Sequence, residues 1–223
     1  MKDVCEELGQ QVLKLAQKMK GSPLKGAKFD DVEFVNGQLR LRLDPAQAVV
    51  LRDVLQASGE TELTATSSAM PNKLKQSHYS MHSHNVVFAE VLVDEELGSI
   101  RVTRVLNAVA AGRILNRKTA RSQVLGSIVW GISMALMEET VPDHAFGRYM
   151  NHNYAEYHIP VNADIRDIEV LFVEEEDDIV NPLGVKSLGE IGLLGVAAAI
   201  ANAVYHATGK RIRELPITPD KVL

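Results

Sequence analysis

Cysteine is nearly absent. The single thiol, Cys5, excludes an internal disulfide framework and any all-cysteine metal site within the chain. Strong positive charge is also missing. With a net charge of -5 and a pI near 5.8, nothing points to a nucleic-acid surface. The opening residues, MKDVCEELGQQ, have no apolar run of the kind a signal peptide carries. No segment is long and clean enough to span a bilayer. The nearest, Ile191 to Ala207, contains Asn202 and His206 and reads as a buried core helix. Internal repeats and low-complexity tracts are lacking too. A reducing, cytoplasmic setting is the simple reading of one cysteine, although a cysteine-poor periplasmic assembly has the same composition.

What is present is enough apolar residue, 46% of 223, to bury a sizeable core in one large domain or two smaller lobes. Val4, Leu8, Val12, Leu15, Ala16 and Met19 recur at helical spacing and predict an opening amphipathic helix, ended by Gly21, Ser22 and Pro23. Strands are expected at Val32 to Val35 and Leu39 to Leu43 around the Asn36-Gly37 turn. Asp44-Pro45 reads as an N-cap and first-turn proline of a helix running to Ala57. Ser58 to Ser77 is polar and weakly patterned, a linker or wrapping segment. A hairpin is predicted from Asn85 to Val93 and Ile100 to Leu106. Its first strand is apolar on both faces, which suggests burial on both sides. A helix over Lys118 to Glu139 carries Val124, Ile128, Ile132 and Leu136 on one stripe. Gly126 and Gly131 are costly there, which hints at a close approach to the backbone. Ile168 to Val173 reads as a strand and Glu174 to Asp178 as a solvated acidic loop. Helices and strands mix without strict alternation, so the fold class is α+β. The expected division is a lobe at 1–77 and a second at 78–223.

Several positions invite chemistry. Glu190 stands between Gly189 and Gly192 at the expected entrance of the last helix, where burial and free N–H groups compete for its charge. A carboxylate poised in that way suits a general base. The plain alternative is a helix cap or a pair with Lys186. Gly184-Val185-Lys186-Ser187 is superficially like a phosphate loop but lacks the glycine before the lysine; a looser anion-binding turn stays open. Arg113, Ile114, Leu115, Asn116, Arg117, Lys118 and Thr119 form a cationic helix start suited to a pyrophosphate, with Gln123 in reach; an exposed basic helix start is the alternative. His82-Ser83-His84 has two imidazoles on one face but no further ligand at metal spacing. Asn151 to Pro160 reads as a structured polar turn.

Four segments, HSHNVVFAEVLVD, GRILNRKTARSQVLGSIVWGISMALMEE, MNHNYAEYHIPVNADI and GVKSLGEIGLLGVAAAIANAVYHATGKRIRELPITPDKVL, follow one another in the order seen in the xanthine dehydrogenase/aldehyde oxidoreductase family. Together they resemble the C-terminal region of the molybdopterin-binding domain of molybdenum hydroxylases, closest to bacterial aldehyde-oxidising members. The resemblance implies that Glu190 is the catalytic base. It implies oxidation of an aldehyde or an N-heterocycle with oxygen from water. Electrons would leave through iron–sulfur clusters to FAD on partner subunits. The implied cofactor is molybdopterin with molybdenum, in its cytosine dinucleotide form, with no direct metal ligand from this chain. The cofactor contacts carry over to Arg113, Ile114, Leu115, Asn116, Arg117, Lys118, Thr119, Gln123, Lys186, Ser187, Leu188 and Gly189. Ala110, Arg117, His152 and Ser187 depart from the family's usual aspartate, prolines and glycine. Family members are several times longer, so the expectation is a split subunit, an excised domain or a truncated gene, inactive alone and dependent on the rest of the molybdenum subunit. A non-catalytic assembly piece or an anion-binding α+β fragment is the alternative.

Overall fold

The computed structural model describes residues 2–68 and 73–223. The chain divides into two compact units, 1–70 and 71–223. Residues 73–77 belong to the second. There Gln76 Nε2 donates to the carbonyls of Ile179 (3.3 Å) and Val180 (3.0 Å), which ties a segment expected in the first lobe to the second.

In the first unit, helix α1 (Lys2–Lys18) lays Leu13 and Ala16 against Leu24, Val32, Leu39 and Val54. Strands β1 (Val32–Val35) and β2 (Gln38–Leu41) pair around Asn36 and Gly37, whose φ values of 49° and 75° are those of a tight hairpin turn. The helix expected from Asp44 is corrected here. Asp44 closes a turn instead, its carboxylate accepting from Ala46 N (3.3 Å) and Gln47 Nε2 (2.8 Å). Ala48–Val50 then runs along β2 as β3, where its two β-branched valines fit the pleat, and helix α2 starts only at Leu51, ending at Ser58.

The second unit begins with the short helix α3 (Lys73–Gln76). Strands β4 (His84–Asp94) and β5 (Ser99–Ala110) form the predicted hairpin. Asp94 Oδ1 accepts from Glu96 N and Leu97 N, each at 3.1 Å, and pins its tip. Helix α4 (Arg117–Leu136) follows, then a small ladder of β6 (Pro142–Asp143) and β7 (Arg148–Tyr149). Strand β8 (Asp167–Phe172) returns parallel to β5, so the sheet order is β4-β5-β8. Helix α5 (Val196–Thr208) and the short α6 (Pro219–Val222) complete the α+β fold. One core joins the inward residues of β5 (Val102, Val105, Val109) to Val124, Ile128 and Ile132 of α4 and to Val196, Ile200 and Val204 of α5.

Two sequence expectations change. A Cβ on Gly131 would lie 2.5 Å from Val196 Cβ, so this glycine does serve a close helix–helix approach, whereas Gly126 faces open space. Strand β4 is covered on one side only. Val86, Phe88 and Leu92 are 56%, 63% and 63% exposed on its outer face, because α5 packs against the inner one.

Candidate active site

The site is assembled around an irregular turn, residues 184–195, held on three sides. Gly184 to Lys186 pairs with the stretch before α4. Arg113 N donates to Gly184 O (2.8 Å) and Lys186 N donates to Ala111 O (3.2 Å), framing a bridge between Gly112 and Val185. Gly112 has φ +65°, and a Cβ there would come within 2.3 Å of Gly184 O, so the bridge needs this glycine. Further along, Asn107, wholly buried in β5, donates from Nδ2 to Gly192 O at 3.0 Å, and Asn85 Nδ2 donates to Leu194 O at 2.8 Å. The Ser127 hydroxyl lies between the carbonyls of Gln123 (2.9 Å) and Gly189. Gly192 presses on α4, where a Cβ would sit 3.0 Å from Ser127 Cβ.

These clamps correct the expected placement of Glu190. It does not stand dry at a helix mouth. Gly195, at φ +83°, caps α5, and the residues before it form successive turns, with Leu193 N donating to Glu190 O (3.1 Å) and Val196 N to Leu193 O (3.2 Å). Glu190 is exposed. Its side chain borders two depressions. One, of about 480 Å³, is shared with His82, Ser83, Lys186 and Ser187. The other, of about 310 Å³, is shared with Gln123, Gly126, Trp130 and Gly189. Among the described residues no amide or side chain donates to the Glu190 carboxylate and no cation pairs with it. The expected alternative of a Glu190–Lys186 pair is absent.

Lys186 turns the other way. Its ammonium, in a side chain only 4% exposed, meets Glu175 Oε1 at 2.5 Å and Asp177 Oδ2 at 3.1 Å and donates to His82 O at 3.4 Å. Glu175 Oε2 also accepts from Gly112 N (2.9 Å), and Asp177 Oδ1 accepts from Ile179 N and Val180 N, each at 2.9 Å. Glu175 is held below the usual carboxylate range chiefly by its bond from Lys186, then by Gly112 N–H. Asp177 is lowered chiefly by the Val180 and Ile179 N–H groups, then by Lys186. Lys186 is raised, first by Glu175. The acidic run is therefore not a plain solvated loop. Two of its carboxylates, at the alternate positions Glu175 and Asp177, are built into the site.

The cationic helix start is also employed differently from expectation. Asn116 Oδ1 accepts from Lys118 N (3.0 Å) and Thr119 N (3.2 Å), so this side chain caps α4 and occupies the N–H groups an anion would use. Arg117 pairs with Glu174 at 3.2 Å. Arg113, Ile114 and Arg117 line an 810 Å³ cleft together with Glu174, Glu175, Glu176, Asp177 and Asp178. Two arginines thus border the cleft beside five acidic residues, of which Glu175 and Asp177 are committed to Lys186. Ile114 and Leu188 pack against the core, while Leu115, Lys118 and Thr119 are exposed. Of the carried-over positions, the structure gathers Gln123, Gly189 and Glu190 on one groove and Lys186, Ser187 and Glu190 on another. The helix-start residues lie apart, toward the acidic cleft.

Sequence reasoning passed over Asn107, Ser127, Glu175 and Asp177. Asn107 left a signal: one amide inside the otherwise apolar run Val105 to Ala111 has to find a buried partner. In the polar turn after α4, Tyr157 Oη donates to Glu138 Oε2 at 2.9 Å, and that carboxylate raises the tyrosine's pKa. No cluster of three or more metal-ligating side chains occurs among the described residues.

Comparison with known proteins adds three findings. Residues 1–166 match the family model of the molybdopterin cofactor-binding domain, a match that stops short of Glu190. The chain is 47% identical over 201 residues to PaoC, the molybdenum-binding subunit of an aldehyde oxidoreductase from Escherichia coli O157:H7, covering 88% of this chain and 25% of that protein. It is 40% identical over 135 residues to the putative xanthine dehydrogenase molybdenum-binding subunit XdhA of Escherichia coli K12, covering 60% of this chain and 18% of that one. In fold it is similar to quinoline 2-oxidoreductase from Pseudomonas putida 86, with a TM-score of 0.76, 24% identity, 95% of this chain and 28% of that chain. The chain spans a quarter or less of the length of these curated relatives.

Proposed function

Because the chain belongs to the molybdopterin cofactor-binding domain family, we propose that it is one part of the molybdenum subunit of a hydroxylase that oxidises an aldehyde or an N-heterocycle, with Glu190 as general base and water as oxygen source. The observation that carries this reading is the unpaired state of the Glu190 carboxylate. A turn pinned by Asn107, Asn85 and Ser127 holds it at the junction of two depressions, and the Lys186 ammonium is turned onto Glu175 instead. An anchored carboxylate with no donor or counter-ion of its own is able to accept a proton from an incoming hydroxyl or water.

The fit to the cofactor is uneven and informative. A Cβ on Gly189 would meet only Gln123 Oε1, at 3.9 Å, so this face of the turn is open. Gln123, Gly189 and the main chain of Ser187 and Leu188 therefore suit a neutral, polar edge of the pterin. The start of α4 suits it less, since Asn116 caps its N–H groups and the facing loop is acidic. When bound, the molybdopterin group supplies the redox centre that accepts the substrate's electron pair. The chain's own contribution is to hold that edge through Gln123 and Gly189, to aim Glu190, and to take up a proton at the Glu190 carboxylate. We place the iron–sulfur clusters and FAD on partner subunits and take the cytosine dinucleotide as the form of the cofactor, as the sequence resemblance to the xanthine dehydrogenase/aldehyde oxidoreductase family implies. No helix among the described residues is long and apolar enough to cross a membrane. We propose a cytoplasmic setting on the cysteine-poor composition, with a periplasmic assembly as the alternative.

The test is Glu190→Gln in the assembled enzyme, with the rest of the molybdenum subunit co-expressed. Turnover should fall by about 10²–10⁴-fold, with molybdenum and pterin contents unchanged. Retained turnover removes Glu190 as the base. A non-catalytic assembly role would leave both turnover and pterin content untouched.

A further inference from the structure

The geometry points to Lys186 as a positioning residue: through Glu175 it ties the 184–190 turn, and with it Glu190, to the 111–113 stretch ahead of α4, and it holds no anionic group of the cofactor. The inference rests on the reading of Glu190 as the base, but its central observations do not. The three ammonium protons of a lysine have three acceptors here, Glu175 Oε1, Asp177 Oδ2 and His82 O. The side chain is 4% exposed. A buried cation with every proton engaged has no face left for a phosphate, and an anion could reach it only by displacing a carboxylate.

Glu175 links the two turns. One oxygen takes Lys186 Nζ, and the other takes Gly112 N–H. The bridge beside it repeats the connection in the main chain through Arg113 N to Gly184 O and Lys186 N to Ala111 O. Asp177 anchors the far side of the lysine through Ile179 N and Val180 N. Glu190 lies four residues beyond Lys186, and Ser83 Oγ, donating to Ser187 O at 3.0 Å, stiffens the stretch between them. The direction of the Glu190 side chain thus depends on a charge triad that touches no reactant.

Two arms test this. In the first, amide hydrogen exchange is measured on the chain itself, without cofactor, for Lys186→Met, Glu175→Gln and the double variant. Each single change should accelerate exchange at Gly112, Arg113 and Lys186 by about tenfold or more, and the double variant should match the singles within about threefold, since both remove one connection. Additive effects, or unchanged exchange, overturn the proposal whatever the chain's function. If Lys186→Met fails to fold because two carboxylates are stranded, Lys186→Met with Glu175→Gln and Asp177→Asn removes the whole triad and gives the same readout. In the second arm the assembled enzyme is assayed. Lys186→Met and Glu175→Gln should both lower kcat by about 10–100-fold through misaligned Glu190, with KM within about threefold and pterin content unchanged. Loss of pterin on Lys186→Met alone, with Glu175→Gln unaffected, would make the lysine an anion ligand and end the proposal. Failure of the Glu190→Gln test with the exchange result intact would remove the base assignment and leave the triad standing.

Discussion

The acidic cleft beside Arg113 and the groove beside Glu190 are both bordered by the 184–190 turn, yet they are opposites in charge. The cleft sets Arg113 and Arg117 against five carboxylates. The groove has Ser122, Gln123, Ser127 and Trp130 around one unpaired acid. In the first, Arg117 is paired with Glu174, and Glu175 and Asp177 are committed to Lys186. In the second, a single charge is left without a partner. A residue's type does not reveal which it will be: Arg117 and Lys186, which look made for a phosphate in the sequence, are already paired with carboxylates, and the acid that looks paired with Lys186 is the free one.

The strongest way to break this contrast is to remove the connection between the two regions. Gly112→Ala places a Cβ within 2.3 Å of Gly184 O at a backbone angle that alanine resists. It should destabilise the second unit by about 2–4 kcal/mol, read by urea denaturation, with faster exchange at Arg113 as the local sign. Acid provides a milder test. Glu175 and Asp177 bind fewer protons folded than unfolded, since both lie below their ordinary values. Their contribution is complete above the ordinary carboxylate range and disappears as the pH falls through their folded values, below about 4. Lys186 is raised, so its share is complete below the ordinary lysine range and is lost only as the pH climbs beyond it, above about 10. Exchange at Arg113, corrected for intrinsic rate, should therefore be flat from about pH 5.5 to 9 and rise at the acid end. The smallest effect belongs to Arg117→Ala. Its pair with Glu174 is exposed on both sides, 64% and 88%, so stability should change by less than about 0.5 kcal/mol. Pterin content in the assembled enzyme should be unaltered. A large loss of pterin would restore the helix start as a cofactor cradle and abolish the contrast.

Much of the fold was readable where one periodic signal dominated. The β4–β5 hairpin, the α4 stripe of Val124, Ile128 and Ile132, and β8 follow from alternation or helical spacing alone. The failures have local causes. Asp44-Pro45 carries the same signal for a turn as for a helix start, and Ala48 to Val50 is too short a run to be separated by pattern from the helix after it. The last helix begins later than its apolar sequence suggests, because Gly192 must lie flat on α4 and Gly195 takes a left-handed angle. For the site, Glu190 and Gln123 stood out by motif. The Lys186–Glu175–Asp177 triad did not, because its members come from segments that only the tertiary fold brings together.

The outer row of β4 has a consequence of its own. Val86, Phe88 and Leu92 face solvent on a strand at the rim of its sheet. A bare ribbon edge with a greasy flank is a template for stacking one chain on another. Purified by itself, the polypeptide should therefore cloud and sediment as its concentration rises, and a lysine in place of Phe88 should keep it clear.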